Sequence, residues 1–171
     1  MNEKAVQQQE QDMTTELTKL TDRAQISELL SRYCSFVDDK CFNIAAVEAT
    51  FTPDGCYVRP NGSAAVGPEA IASEAKTFSR FRAMQHVTSD HIIDLEGDTA
   101  RLRANMIAMH LWSEEESDPR SLQTHFVAGG IFEAVAVRTV DGWRFKELKS
   151  RITWRTGGGM SAVARIGSPS N

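Results

Sequence analysis

Beyond Phe81 the chain runs through four long β-rich stretches: MQHVTSDHIIDL, TARLRANMIAMHLW, SLQTHFVAGGIFEAVAVRTV and WRFKELKSRITWR. The first two are joined by Glu96-Gly97-Asp98 and the last two by Asp141-Gly142. Both links are hairpin-type turns, so neighbouring strands should pair antiparallel. The acidic stretch SEEESDPR separates the second from the third and should be an exposed loop. Gly129 and Gly130 lie inside the third stretch, where a glycine pair fits a bend or bulge. The expectation is a strongly curved sheet.

The residues before Phe81 have a different texture. Residues 1–19 are rich in Gln and Glu with little apolar periodicity and read as a frayed arm. Thr21 or Asp22 suits an N-cap, with Gln25 placed to close a capping box. Ile26, Leu29, Leu30, Tyr33 and Val37 then recur at helical spacing, predicting a helix to about Asp38. FNIAAVEATF continues as a short second helix, which TPDG should end because Pro53 and Gly55 are turn residues. CYVRP reads as a short strand and NGS as a turn. GPEAIASEAKTFSRF reads as a third helix with Pro68 at its first position. Helices first and long strands afterwards give an α+β class. A curved sheet with helices on one face would enclose a pocket between the layers.

At 171 residues the chain is most simply one domain with a real core. A net charge of −4 leaves no basic footprint for nucleic acid. No apolar run approaches the roughly 20 residues needed to span a bilayer, and the first residues lack the apolar stretch of a secretory signal. Cys34, Cys41 and Cys56 are odd in number without CxxC spacing, which favours free thiols in a reducing compartment. A cytoplasmic protein is expected, with no nucleic-acid or membrane partner. The tail TGGGMSAVARIGSPSN is Gly- and Ser-rich and reads as loose or docked on a partner.

Four histidines, His86, His91, His110 and His125, fall in or near the long strands. His86 and His91 are five apart, so a regular strand would turn them to opposite faces. No HxH pair or HExxH helix marks a metal site. There is no GxSxG nucleophile turn. Gly157 to Gly159 are followed by no Lys-Ser/Thr pair that would suggest phosphate binding. The segment SRYCSFVDDK carries Tyr33, Asp38 and Asp39 beside apolar neighbours at the predicted end of the first helix. On an ideal wheel Asp38 lies about 120° from the centre of the apolar stripe. Periodicity therefore leaves open whether it faces solvent or the pocket.

The order LTDRAQISELLSRYCSFVDD, ATFTPDGCYV, GPEAI, MQHVTSDHII, GGIFEAV and DGWRFKELKSRITWR resembles the SnoaL-like, scytalone dehydratase-like group of the nuclear transport factor 2-like fold. The resemblance covers residues 20–156, leaving 1–19 as an arm and 157–171 as a tail. It implies a cone, in which a curved mixed sheet wraps a pocket closed by three helices. Within the group the pattern is most similar to the bile-acid 7α-dehydratases, which implies catalytic roles for Tyr33, Asp38, Tyr57 and His86. The arginine those enzymes carry on the last strand is replaced by Ile152, flanked by Arg151 and Arg155. A dehydrochlorinase of the group has its arginine near Leu148. His110 falls where scytalone dehydratase supplies a second histidine, and His125 is close by in the pattern. Candidate substrate-binding residues are therefore His110, His125, Trp154 and Met106.

The implied activity is that of a lyase of the dehydratase type acting on a polycyclic or aromatic-like small molecule. An Asp-His pair would take a proton α to a carbonyl, with no metal or organic cofactor required. The same scaffold also supports an isomerase or cyclase. It serves as well as a non-catalytic module, such as the small subunit of a ring-hydroxylating dioxygenase; that role predicts a filled cone and a solvent-facing Asp38. Such sheets bury their outer face against another copy, so a homodimer or homotrimer is expected.

Overall fold

The computed structural model describes residues 3–113 and 125–158. Helix α1 runs from Glu3 to Asp38 and buries Ile26, Leu29, Leu30, Tyr33 and Val37 along one stripe. Its first five turns correct the frayed arm expected from the sequence. Segment 3–21 has no Gly or Pro, and a helix already nucleated by a packed half extends at little cost per residue. Local pairs add support, Gln8 donating to Asp12 at 2.8 Å and Lys19 to Glu16 at 2.7 Å. The predicted N-cap is likewise corrected. Thr21 lies inside the helix with its hydroxyl donating to the Leu17 carbonyl at 2.9 Å. Asp22 is buried, accepting from Arg138 at 2.6 Å and from the Trp143 indole at 3.1 Å.

Helix α2 is a single short turn, Ile44–Glu48, capped by the Asn43 side chain, which accepts from the Ala46 amide at 2.9 Å. Strand β1 then spans Phe51–Val58 and β2 spans Ala64–Val66. TPDG therefore lies within β1, and the second helix ends before it, at Glu48. The β1–β6 register shifts between Phe51 and Cys56, and this irregular stretch tolerates Pro53 because no ladder donor is needed there. Helix α3, Pro68–Ala75, continues as a 3₁₀ turn over Lys76–Arg80. The four long strands follow as β3 (Phe81–Glu96), β4 (Thr99–Trp112), β5 (His125–Thr139) and β6 (Gly142–Gly157).

The strand order is β2-β1-β6-β5-β4-β3, antiparallel throughout except for the parallel β1–β6 pair. This is a curved mixed sheet with the helices on its inner face. The inner strand positions and the buried stripe of α1 share one core, whose most enclosed side chains include Phe51, Phe132, Phe145, Ile26, Leu30 and Leu148. Among the described residues no helix is long and apolar enough to cross a membrane. SEEESDPR after Ser113, and the tail from residue 159 onward, lie outside the described residues.

Two bulges decide which side chains face inward. On β3 the register shifts between Ser89 and Ile92, and Asp90 takes φ 52°. One extra residue reverses the alternation. His91 therefore turns to the same side as His86, and its Nδ1 lies 2.6 Å from the Ser27 hydroxyl of α1. The opposite-face expectation for these two histidines is thereby corrected.

On β6, Trp154 pairs with Gly129 but Ile152 pairs with Gly130, so Thr153 is the extra residue. Its hydroxyl donates to the Gly129 carbonyl at 3.0 Å. Both glycines are needed for close approach. A Cβ on Gly130 would meet the Arg151 carbonyl oxygen at 2.2 Å, and one on Gly129 would meet the Trp154 ring at 2.1 Å.

Candidate active site

The helix end around SRYCSFVDDK is fixed by its backbone. Lys40 sits in the left-handed region at φ 55°. The Lys40 amide donates to the Val37 carbonyl at 3.2 Å and the Cys41 amide to the Phe36 carbonyl at 3.0 Å. That is the paired-bond arrangement of a Schellman C-cap. The Lys40 ammonium also donates to the Phe81 carbonyl at 2.7 Å, tying the helix end to the start of β3. The last turn thus brings Asp38 over β3 and leaves Asp39 exposed.

Asp38 grips His86 twice. One carboxylate oxygen lies 2.6 Å from His86 Nδ1, and the other accepts the His86 backbone N–H at 2.8 Å. The side chains are 18% and 8% exposed respectively. Burial alone would raise the Asp38 pKa. The ring and backbone hydrogen bonds from His86 outweigh it and hold the carboxyl below its ordinary value. An ionised Asp38 that accepts from Nδ1–H fixes the tautomer with its lone pair on Nε2. Nε2 makes no hydrogen bond among the described residues.

His86 borders a cavity of about 310 Å³ between helices and sheet, at the lower end of the roughly 300–1,000 Å³ that small-molecule sites occupy. Much of the lining is aromatic or aliphatic, with Phe78, Phe81, Phe126, Phe132, Met106 and Ile152 prominent. Tyr33 and Tyr57 form part of the wall, their ring centroids 5.7 Å apart. Burial raises the pKa of both phenols, so each remains a proton donor; for Tyr57 a 2.9 Å hydrogen bond with Ser150 partly offsets the rise.

His110 also lines the cavity, 5.7 Å from His86 between ring centroids and stacked on Phe126 at 4.2 Å. Burial, followed by the neighbouring His86, lowers its pKa to about 3. It is a neutral imidazole at any ordinary pH, and its Nδ1 is buried without a partner among the described residues.

Of the residues expected from the sequence, the structure brings Tyr33, Asp38, Tyr57, His86, His110 and Met106 together around or against this cavity. Two candidate substrate-binding residues are not there. His125 is exposed at the first position of β5, on the outer face with Leu111. Trp154 is 49% exposed and lies over Gly129 on the outer face, because the Thr153 bulge turns it away. The same bulge turns Arg155 inward, so this flanking arginine, and not Arg151, reaches the cavity's open edge.

Sequence reasoning missed Ser150 and the Arg59–Glu74 ion pair that completes the wall beside the tyrosines. Ser150 was reachable, since it lies two residues beyond buried Leu148 on the inner face of β6. The Arg59–Glu74 pair left no local signal. Among the described residues no three His, Cys, Asp or Glu side chains converge as a metal site would require.

The model of the SnoaL-like domain matches residues 18–149. Among solved structures, the Kfla4162 protein from Kribbella flavida has 24% identity and a TM-score of 0.76, over 85% of this chain and 99% of that one. Hexachlorocyclohexane dehydrochlorinase LinA-type3 from Novosphingobium barchaimii LL02 has 16% identity and a TM-score of 0.70, over 83% and 93%. A candidate scytalone dehydratase from Novosphingobium aromaticivorans has 21% identity and a TM-score of 0.69, over 81% and 89%. Likeness at these identities shows the fold, which is the nuclear transport factor 2-like cone. No curated protein sequence matches the chain. With a domain match over most of its length, the chain belongs to the SnoaL-like family.

Proposed function

We propose that this protein is a lyase of the dehydratase type that removes a proton α to a carbonyl from a small, largely apolar, ring-containing substrate. The observation that carries this reading is the double hold of Asp38 on His86, with Nε2 left free beside the cavity. In the first step Nε2 takes the α-proton, and the C–H electrons move into an enolate. Asp38 stabilises the imidazolium that forms. Tyr33 and Tyr57, kept protonated by burial, donate to the carbonyl oxygen as it gains charge. In the second step the enolate collapses, the β C–O bond breaks, and the imidazolium returns its proton to the departing hydroxide as water. Two of the similar structures carry elimination-type names, a dehydrochlorinase and a candidate dehydratase, and this supports the reading. A non-catalytic module would want a filled cone and a solvent-facing Asp38, which an open cavity and an engaged carboxylate argue against.

Proton abstraction can be tested before the natural substrate is known. Two-ring ketones and their β-hydroxy derivatives are incubated with enzyme in D₂O and followed by proton NMR. The expected result is Cα deuteration of the ketones and loss of water from the β-hydroxy compounds. Double-bond migration without water loss would favour an isomerase. No exchange above buffer, or exchange undiminished by Asp38→Asn, would overturn the reading. Tyr57→Phe is expected to lower kcat about tenfold with little change in KM, because the lost donor acts on charge that develops after binding while Tyr33 remains. Steady-state kinetics on the same compounds check this.

A further inference from the structure

Four strands meet at one level under the cavity. His86 on β3 pairs with Ala108 on β4, Ala108 with Ala128 on β5, and Ala128 with Arg155 on β6. Direct cross-strand partners share a face, and all four residues border the cavity. The row therefore carries an imidazole at one end, a guanidinium at the other and two methyl groups between them. Three strand spacings set the end residues about 14 Å apart at the main chain. Both side chains turn into the cavity, which shortens that gap.

The levels on either side are taller. On one flank His110 pairs with Phe126, and on the other Met106 and Ile152 both pair with Gly130. These larger side chains line the cavity too. Standing to either side of Ala108 and Ala128, they make a trough with the two alanines as its floor. Apolar and aromatic walls of this kind suit flat ring systems. A ligand lying along the trough has one end at His86 Nε2 and the other at Arg155.

The charges around the trough are matched except at that second end. Asp38 is engaged by His86. Arg59, also on the cavity wall, is held by Glu74 and donates to the Ser63 hydroxyl at 2.6 Å. Arg155 makes no hydrogen bond or ion pair with any described residue. Regular alternation after Ile152 would have faced it outward, and the Thr153 bulge turns it in. A guanidinium is charged at any ordinary pH, and its planar fork matches a carboxylate.

We propose that the substrate is an acid whose carboxylate sits on Arg155 while the carbon that loses its proton sits at His86 Nε2, the two ends about two fused rings apart. This rests on the proton-abstraction reading for what happens at His86 and extends it to the far end of the molecule. The span selects for length. A single ring that touches His86 leaves its carboxylate short of the guanidinium. Arg155 acts on specificity and not on the chemical step, because an anion remote from the reacting carbon is held equally before and during the reaction.

Calorimetric titration of the full chain with 6-acetyl-2-naphthoate and with 6-acetyl-2-naphthamide tests this, since the pair shares one shape and one ketone and differs in charge at the far end. The acid is expected to bind about tenfold more tightly than the amide, and Arg155→Gln to remove that preference. His86→Ala should retain it, because the anion is held at the opposite end. For the single-ring pair, 4-acetylbenzoate and its amide, the preference should fall below about threefold, the value of a loosely placed surface pair. Equal affinity for the two-ring acid and amide overturns the proposal, as does a preference undiminished by Arg155→Gln. An equal preference in the single-ring pair, or no measurable binding of either two-ring compound, overturns it too. Deuterium exchange at the acetyl methyl of the same compounds separates this from the lyase reading. Acid preference without exchange sinks that reading and leaves the anion site standing; exchange without acid preference does the reverse.

Discussion

Replacing His86 with alanine is expected to lower kcat/KM for α-proton abstraction by about 10²–10⁴-fold, the range a positioned general base supplies. Asp38→Asn should cost nearly as much, for a reason visible in the geometry. Asp38 uses one oxygen for the His86 backbone N–H and the other for Nδ1. An asparagine keeping its oxygen on the backbone N–H must turn its amide NH₂ toward Nδ1. That forces the ring proton onto Nε2 and removes the lone pair from the cavity side. The side chain keeps nearly its shape while the base loses its function. Since both residues serve one proton transfer, the double variant should lose little more than either single one. Kinetics of the single and double variants check this, with melting curves to confirm folding. Losses that multiply would show two independent contributions and break the pairing argued above.

Asp22→Ala is the largest stability effect expected outside the apolar core. Its carboxylate joins α1 to the β5–β6 hairpin through Arg138 and the buried Trp143 indole. Truncation leaves that N–H without a partner and a guanidinium with only exposed Asp98, at 3.0 Å, to pair with. A loss of about 2–4 kcal/mol follows, read as a lower urea midpoint at unchanged m-value. Asp22→Asn, which can still accept one of the two bonds, should lose about half.

The effect has a pH signature. The hydrogen bond from Arg138, followed by that from Trp143 and by the Arg138 charge, outweighs burial and holds the Asp22 pKa below its ordinary 3.8. A carboxyl whose folded pKa is depressed contributes its full stability above the unfolded pKa and loses it as pH falls through the folded one. The gap between wild type and Asp22→Asn should therefore be constant at neutral pH and narrow below about pH 4. Urea titrations from pH 7 to pH 2 measure it. A gap that persists at pH 2 would show that the carboxylate charge is not what stabilises the junction.

Asp22 also shows what the sequence could and could not convey. Its residue type and position suited an N-cap, and only the hairpin folding back supplied Arg138 and Trp143, more than a hundred residues away. The α+β class, the hairpins at Gly97 and Gly142 and the inward stripe of α1 were readable because each depends on local periodicity or turn chemistry. The nearness of Asp38 to His86 came from resemblance, not periodicity, because α1 stays regular through Asp38, on the flank of its apolar stripe, and only the tertiary fold brings β3 to that flank. Trp154 and His125 were misplaced for a related reason. Which face a strand residue takes depends on its register with a neighbour, and nothing in SRITWR alone announces that Thr153 is unpaired.

That unpaired threonine makes the chemistry at the cavity's edge a matter of counting. Downstream of it, Arg155 faces the cavity and Trp154 the exterior because Thr153 is left out of the ladder instead of pairing with Gly129. Pairing Thr153 with Gly129 in a regular ladder would slip each later residue by one and present the cavity with the indole in place of the guanidinium, with no side chain altered. An anion-tolerant rim and an aromatic one are thus one register slip apart. Whether this strand keeps its bulge therefore decides which side chain meets whatever enters at the cavity's edge.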